Sequence, residues 1–583
     1  MHFLKITAVV VLALILTGSA SAGKGHTTLL ATSEPFTGGV IADLYLQTTP
    51  GTGKVFIESS PLTKIDTQIS TRFAKEVACS YLGKSCDDMD FFYTIKAKAA
   101  IIGGPSAGAA MAVLTVAVLE GQEANQSIAL TGTINSGSVI GPVGGVPEKL
   151  EAASDAGITK VLIPRGEETN FARNMTIDMA AYGRELGIEV VEVFTLDEAV
   201  KEFTGKSFRQ EDKEIEINTK YGTTMEELAD SLCMRTRELQ KEAQRFRESG
   251  SYNETFEDAM RSAGNLSEQG REAAKNGSNY AAASFCFGAN VRYQYLNITA
   301  GKPGKQEITK ALNNIEINAW AFDATLGNAT TIADAQILAV VKDRIEETGQ
   351  HINSSRGALS QNNTEGSIFE LAFATERLQS AKSWSRFFGK IKETQITLDM
   401  LKEACNRKLA EAQERVEYTK ILLPTAGDGL QAKADRAQKQ LEKEEYAQCL
   451  HSATIAKAEA GTILSVYGVR DEEVLPIAER KIAAAKASIA RQVEEGRFPI
   501  VGYSYYEYAG SLTGTDKYSA LLFSEYALEF SNMDIYFRNE MPEEKTAPGG
   551  AYFAAALVIV AAVSFSLGRR TKRKRILVRA RKR

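Results

Sequence analysis

Apolar and polar positions follow two different rhythms along this 583-residue chain. Between residues 26 and 205, short runs suited to strands alternate with helical stretches. Residues 40–46 and 54–58 read as strands, and the Thr48-Thr49-Pro50-Gly51-Thr52-Gly53 stretch between them reads as a hairpin turn. Residues 66–82 place Ile69, Phe73, Val77 and Tyr81 at helical spacing. Strand character returns at 94–102. Residues 107–119 are apolar on every side, which predicts a fully buried helix. Further strands are expected at 127–131, 138–140, 160–163 and 189–193. A short helix is expected at 147–156, with Pro147 in its first turn and Gly157 past its end. This alternation predicts an α/β (α+β) domain over residues 26–205.

The rhythm then becomes helical. From 223 to 537, apolar stripes such as Leu228, Leu232, Met234, Leu239 and later Phe369, Phe373, Leu378, Ala381 predict an all-α region of helical hairpins, bounded at 206–540. Gly-, Asn- and Pro-rich breaks at 300–304 and 425–429 separate its members. A tyrosine run, Tyr503, Tyr505, Tyr506 and Tyr508, reads as a packing cluster. Cys233-Met234-Arg235 and Cys405-Asn406-Arg407 each open a charged helix, followed some fifty residues later by Cys286 or Cys449. A duplicated hairpin with one disulfide per copy is expected, Cys233–Cys286 and Cys405–Cys449, with Cys79–Cys86 as a local third.

The two ends change the picture of location. Residues 1–22 carry Lys5, an apolar stretch and Ala20-Ser21-Ala22, the pattern of a secretory signal peptide. Residues 541–550 read as a linker, and 551–567 hold no charge, which predicts a single C-terminal transmembrane helix. The tail at 568–583 has ten Lys and Arg and no acid, so it is expected in the cytoplasm with the body outside the cell membrane. Nine N-x-[ST] sequons, at Asn125, Asn174, Asn253, Asn265, Asn276, Asn297, Asn328, Asn353 and Asn362, suit an exported, glycosylated body. Without the basic tail and the first 22 residues the charge is about −16, which argues against nucleic-acid binding by the body.

Candidate chemistry lies in the first half. Gly103-Gly104-Pro105-Ser106-Ala107-Gly108 places a serine where a strand gives way to a buried helix. There the hydroxyl is exposed and helix N–H groups favour a developing anion. Serine needs a base to take its proton. The body holds only His26, His351 and His451, and only His26 belongs to this half, in a segment expected to be loose. A lysine serves instead if it is neutral at working pH, which requires desolvation or nearby positive potential. Lys149, in Gly144-Gly145-Val146-Pro147-Glu148-Lys149-Leu150, sits in the first turn of a short helix among apolar neighbours. Both features lower an ammonium pKa.

These segments, with Leu130-Thr131-Gly132 and Ala156-Gly157-Ile158-Thr159-Lys160-Val161-Leu162-Ile163-Pro164, closely resemble the Lon-type peptidases in order and spacing. The likeness covers roughly 51–200 and is most specific over 104–164. In character the chain is most similar to exported, membrane-anchored Lon-like serine peptidases of archaea. The resemblance implies Ser106 as nucleophile, Lys149 as general base and Thr131 as the residue whose hydroxyl holds the lysine. It also implies unfolded or flexible protein substrates and a homo-oligomer, such as a hexameric ring. Two positions depart from the family pattern: Gly103 stands where many members carry Asp, and Thr133 stands where Glu is common. The 49–54 turn fails the phosphate-loop pattern, so no ATP module is expected, and no metal or cofactor is implied. Two alternatives to an ATP-independent endopeptidase stay open. One is a membrane-tethered scaffold that no longer cleaves, and the other is a protein that processes only itself.

Overall fold

A computed structural model describes residues 23–32, 38–60, 62–97, 103–167, 169–172, 175–209, 215, 219–250, 254–391 and 395–537. The first half contains β1 (Lys24–Thr32), β2 (Gly39–Pro50), β3 (Val55–Ser60), α1 (Ile65–Tyr81), β4 (Met89–Ala97), a 3-10 turn (Pro105–Ala107) and α2 (Gly108–Leu119). Then follow β5 (Ile128–Leu130), β6 (Thr133–Asn135), β7 (Val139–Gly141), α3 (Val146–Asp155), β8 (Lys160–Pro164), β9 (Thr169–Ala172), β10 (Met175–Asp178), α4 (Met179–Glu185), β11 (Glu189–Val193) and α5 (Leu196–Thr204). Seven strands form one sheet in the order β11-β8-β5-β1-β2-β4-β3. Strands β11, β8, β5 and β1 run parallel, whereas β2 is antiparallel to both β1 and β4.

Alternation along the strands sends side chains to two cores. Leu29, Leu130 and Leu162 join a core shared with α2, whose residues 108–118 are all buried. Their chain neighbours Leu30, Ala129, Val161 and Ile163 join another with Val146, Leu150 and Ala153 of α3. The two helices therefore pack on opposite faces of the sheet, and the loops entering them can meet only at its edge. Thr131 directly follows β5, at the carboxyl end of a parallel strand, where open α/β sheets place their sites.

Three expectations are corrected here. The 48–53 turn does not close a hairpin: α1 returns the chain so that β4 inserts between β2 and β3, parallel to β3. The turn is held instead by the Asp90 carboxylate, which accepts from Thr52 N at 2.8 Å and Lys54 N at 3.0 Å. His26 is not in a loose segment but in β1, stacked on Tyr45 and 3.0 Å from Asp43. Asn297 is buried, and its amide donates to Leu239 O and Glu242 Oε2, so that sequon presents no free side chain to a glycan.

The second half is helical: α6 (Thr219–Ser249), α7 (Glu254–Lys275), α8 (Asn279–Ala300), α9 (Lys305–Asp323), α10 (Ile332–Ser360), α11 (Thr364–Trp384), α12 (Leu398–Leu422), α13 (Gly427–Glu442), α14 (Tyr446–Val466), α15 (Val474–Glu494), α16 (Ile500–Leu512) and α17 (Lys517–Ser531). Disulfides join Cys79–Cys86, Cys233–Cys286 and Cys405–Cys449. The last two each clamp the first helix of a three-helix unit to its third, α6 to α8 and α12 to α14, so the repeat is a helix triplet rather than a hairpin. Tyr505 packs against Phe523, Tyr526 and Phe530, which makes the tyrosine run part of the core.

The expected fold with a membrane span is also corrected. Among the described residues no helix is long and apolar enough to cross a membrane. The fold described is a mixed α/β domain followed by a helical region, and the single-pass membrane location is withdrawn with the span. The expected signal peptide (1–22), the linker (541–550), the apolar segment (551–567) and the basic tail (568–583) lie outside the described residues. Both described halves belong to one compact unit, Met1–Arg538, with Asn539–Arg583 as a second.

Candidate active site

Ser106 lies in the 3-10 turn that leads into α2. The turn is reached through Gly104, at φ +97, a backbone conformation that a side chain rarely adopts. The Asp66 carboxylate at the start of α1 accepts from Gly104 N at 2.9 Å and fixes the approach to the serine. The family's aspartate is absent at Gly103, yet a carboxylate from a different element meets this same loop. Ser106 is 9% exposed.

Lys149 is the fourth residue of α3. Gly145, at φ +68, turns the chain into that helix, and Lys149 N donates to Gly145 O at 3.1 Å. The side chain is 2% exposed, and its Nζ donates to Thr131 Oγ1 at 3.0 Å. Burial lowers the ammonium from 10.5 to about 8, while the Glu167 and Glu148 carboxylates limit the fall. Thr131 is wholly buried, and its own N–H donates to Leu162 O at 3.1 Å, so the acceptor is fixed to the sheet.

The three residues named from sequence occupy adjoining backbone segments. Thr131 and Lys149 are bonded directly. Gly132, next to Thr131, donates to Ser106 O at 2.8 Å and accepts from Ala109 N at 3.0 Å. Ser106 Oγ and Lys149 Nζ are not hydrogen-bonded to each other.

Two further carboxylates and a tyrosine complete the surroundings without having been singled out in the sequence. Besides Asp66, Glu167 accepts from Val143 N at 2.6 Å, and Tyr418 Oη accepts from Gly144 N at 2.8 Å. Glu167 lies three residues past Pro164, within reach of a motif-based search. Tyr418 belongs to α12, far along the chain, and no local pattern marks it.

Residues 25–203 match the Lon protease (S16) C-terminal proteolytic domain. The Lon protease of Azospirillum brasilense is 30% identical over 181 residues, covering 30% of this chain and 21% of that protein. The archaeal Lon protease of Archaeoglobus fulgidus is 31% identical over 121 residues, 21% of this chain and 18% of its own length. That of Methanothermobacter thermautotrophicus is 39% identical over 100 residues, 17% and 14% respectively. The chain thus spans about a fifth or less of these relatives. Over residues 25–203, this chain is similar to the proteolytic domain of the Lon protease family.

Proposed function

We propose that the chain is an ATP-independent serine endopeptidase in which Ser106 is the nucleophile and Lys149 the general base. The observation that carries this reading is a lysine amine withdrawn from water, depressed to about 8 and held by the hydroxyl of Thr131, whose neighbour Gly132 is bonded to the backbone of Ser106. In the neutral amine, one N–H donates to Thr131 Oγ1 and the lone pair is left to take the Ser106 proton. The Ser106 oxygen attacks the scissile carbonyl carbon. Backbone N–H groups near Ser106 stabilise the oxyanion, and the Lys149 ammonium returns its proton to the leaving amine. Water then hydrolyses the acyl-enzyme by the same exchange. The serine and lysine must close to hydrogen-bond distance when substrate binds, a tightening common to catalytic pairs that are loose without substrate. Substrates are protein segments already flexible enough to enter without an unfolding motor.

Thr131→Val keeps the shape and removes the acceptor. It is expected to lower kcat/KM by about 10- to 100-fold, since it loosens the base rather than deleting it. A fluorogenic peptide assay reads this, and wild-type rates would remove Thr131 from the site.

Activity is also expected to depend on pH in one direction. Only the neutral amine can accept a proton, so kcat/KM rises with pH through about 8. It falls roughly tenfold per pH unit below that limb. A profile from pH 6 to 10 checks it, and a flat profile would assign the base elsewhere.

One observation favours a second reading: Ser106 and Lys149 are not hydrogen-bonded to each other and both are buried, as suits a scaffold that does not cleave. A fluorophosphonate probe separates the two, since only a nucleophilic Ser106 is labelled.

A further inference from the structure

The loop that delivers Lys149 is held from two sides. Its consecutive amides, Val143 N and Gly144 N, donate to Glu167 Oε1 and Tyr418 Oη at 2.6 and 2.8 Å. Glu167 follows β8 in the α/β half, but Tyr418 comes from α12 of the helical half and is buried. The next residue, Gly145, supplies the left-handed turn and the carbonyl that starts the Lys149 helix turn. A shift at Gly144 therefore passes to Lys149 within one helical turn, and from there to the 3.0 Å bond with Thr131.

Helix α12 is itself fixed to the α/β half. Arg407 lies 3.3 Å from Glu76 of α1. One helical turn along from Arg407, Glu411 accepts from Lys457, whose ammonium sits 4.0 Å over the Phe73 ring. Tyr418 is thus presented by a seated helix, and its hydroxyl is the acceptor that a buried glycine amide requires.

We propose that Tyr418 is a positioning residue for the Ser106–Lys149 pair, so that the helical half completes the peptidase site; this rests on the catalytic reading above. Its hydroxyl fixes the 143–145 loop and keeps water from the amine. Without it the loop loosens, water reaches Lys149, and the amine returns toward the ordinary ammonium range. The groups facing that amine are Thr131, Glu148 and Glu167.

Tyr418→Phe removes the acceptor and keeps the ring. Tyr526→Phe is the matched control, because Tyr526 bonds Glu459 within the helical half. For Tyr418→Phe, kcat should fall about tenfold with KM within twofold of wild type, and the limb near pH 8 should move upward. Tyr526→Phe should stay within twofold. Equal losses in both variants, or wild-type behaviour of Tyr418→Phe, would overturn the proposal. A gain of activity would do so too, since α12 would then obstruct the site. Hydrogen exchange of the 142–150 segment gives a readout independent of turnover. Exchange at least tenfold faster in Tyr418→Phe alone supports the hold even if the wild type hydrolyses nothing, a result that would remove the catalytic reading and not the hold. Unchanged exchange overturns the proposal.

Discussion

Ser106→Ala and Lys149→Met should each lower kcat/KM by at least about a thousandfold, and the double variant should lose little more. The two side chains act as one unit: without the hydroxyl there is nothing to deprotonate, and without the amine there is nothing to take the proton. The lysine variant also separates catalysis from folding. Lys149 is protonated in the unfolded chain up to its ordinary value, but only up to about 8 in the fold. Burying the ammonium therefore costs stability at pH 7, on the order of 3 kcal/mol from the gap between those values. That cost is present below about 8 and is relieved as pH rises toward 10.4, because there the unfolded state alone binds the proton. Lys149→Met fills the same space with no charge to bury. It should be inactive and melt higher than wild type at pH 7, by an amount reduced by the lost Thr131 bond. Calorimetry and peptide hydrolysis on one sample check both halves. An inactive variant that melts well below wild type would mean that the lysine serves the fold rather than the reaction.

How much of this was legible depends on how far each signal travels along the chain. Ser106, Thr131 and Lys149 lie within 44 residues, each in a local pattern of glycine, proline and small residues that backbone geometry imposes. Gly104 and Gly145 are readable for the same reason, since their positive φ angles demand glycine. Asp66 and Tyr418 hold the site through hydrogen bonds to the backbone amides of Gly104 and Gly144, and a backbone partner leaves no trace in the sequence around it. The misread 48–53 turn has a similar cause. Local composition shows that the chain turns there, whereas the strand that pairs next is set by α1 carrying the chain back across the sheet. The N-terminal strand β1 was missed because its alternation is weak, although it sits between β5 and β2 in the sheet.

The junction between the halves carries the other large expected effect. Glu529 of α17 is 3% exposed and accepts from Ser136 Oγ, just past β6, at 2.9 Å. It also pairs with Lys408 of α12 and lies 3.4 Å from Lys457 of α14. Lys457 bonds Glu411 at 2.7 Å, and Tyr536 Oη donates to Glu411 at 2.6 Å. Burial alone would raise the Glu529 carboxyl, but the two ammonium groups hold it at about 2. Lys408, with no exposure, is pulled below the ordinary ammonium range by burial despite its partner. Removing the carboxylate strands that charge. Glu529→Ala should therefore destabilise the chain by about 3–5 kcal/mol, the range for breaking a buried ion pair from one side. Glu529→Leu combined with Lys408→Met should recover most of that loss, because neither charge then remains to be desolvated. With a carboxyl depressed in the fold, this stabilisation is complete above the unfolded value of about 4.3 and is lost as pH falls toward about 2. Urea melts at pH 7 and pH 3 read both effects. A Glu529→Ala loss under about 1 kcal/mol would mean that water already reaches the cluster. The buried pair would then add little to the hold of the helical half on the α/β half, and α12 would present Tyr418 from its Arg407–Glu76 contact and the packing around it.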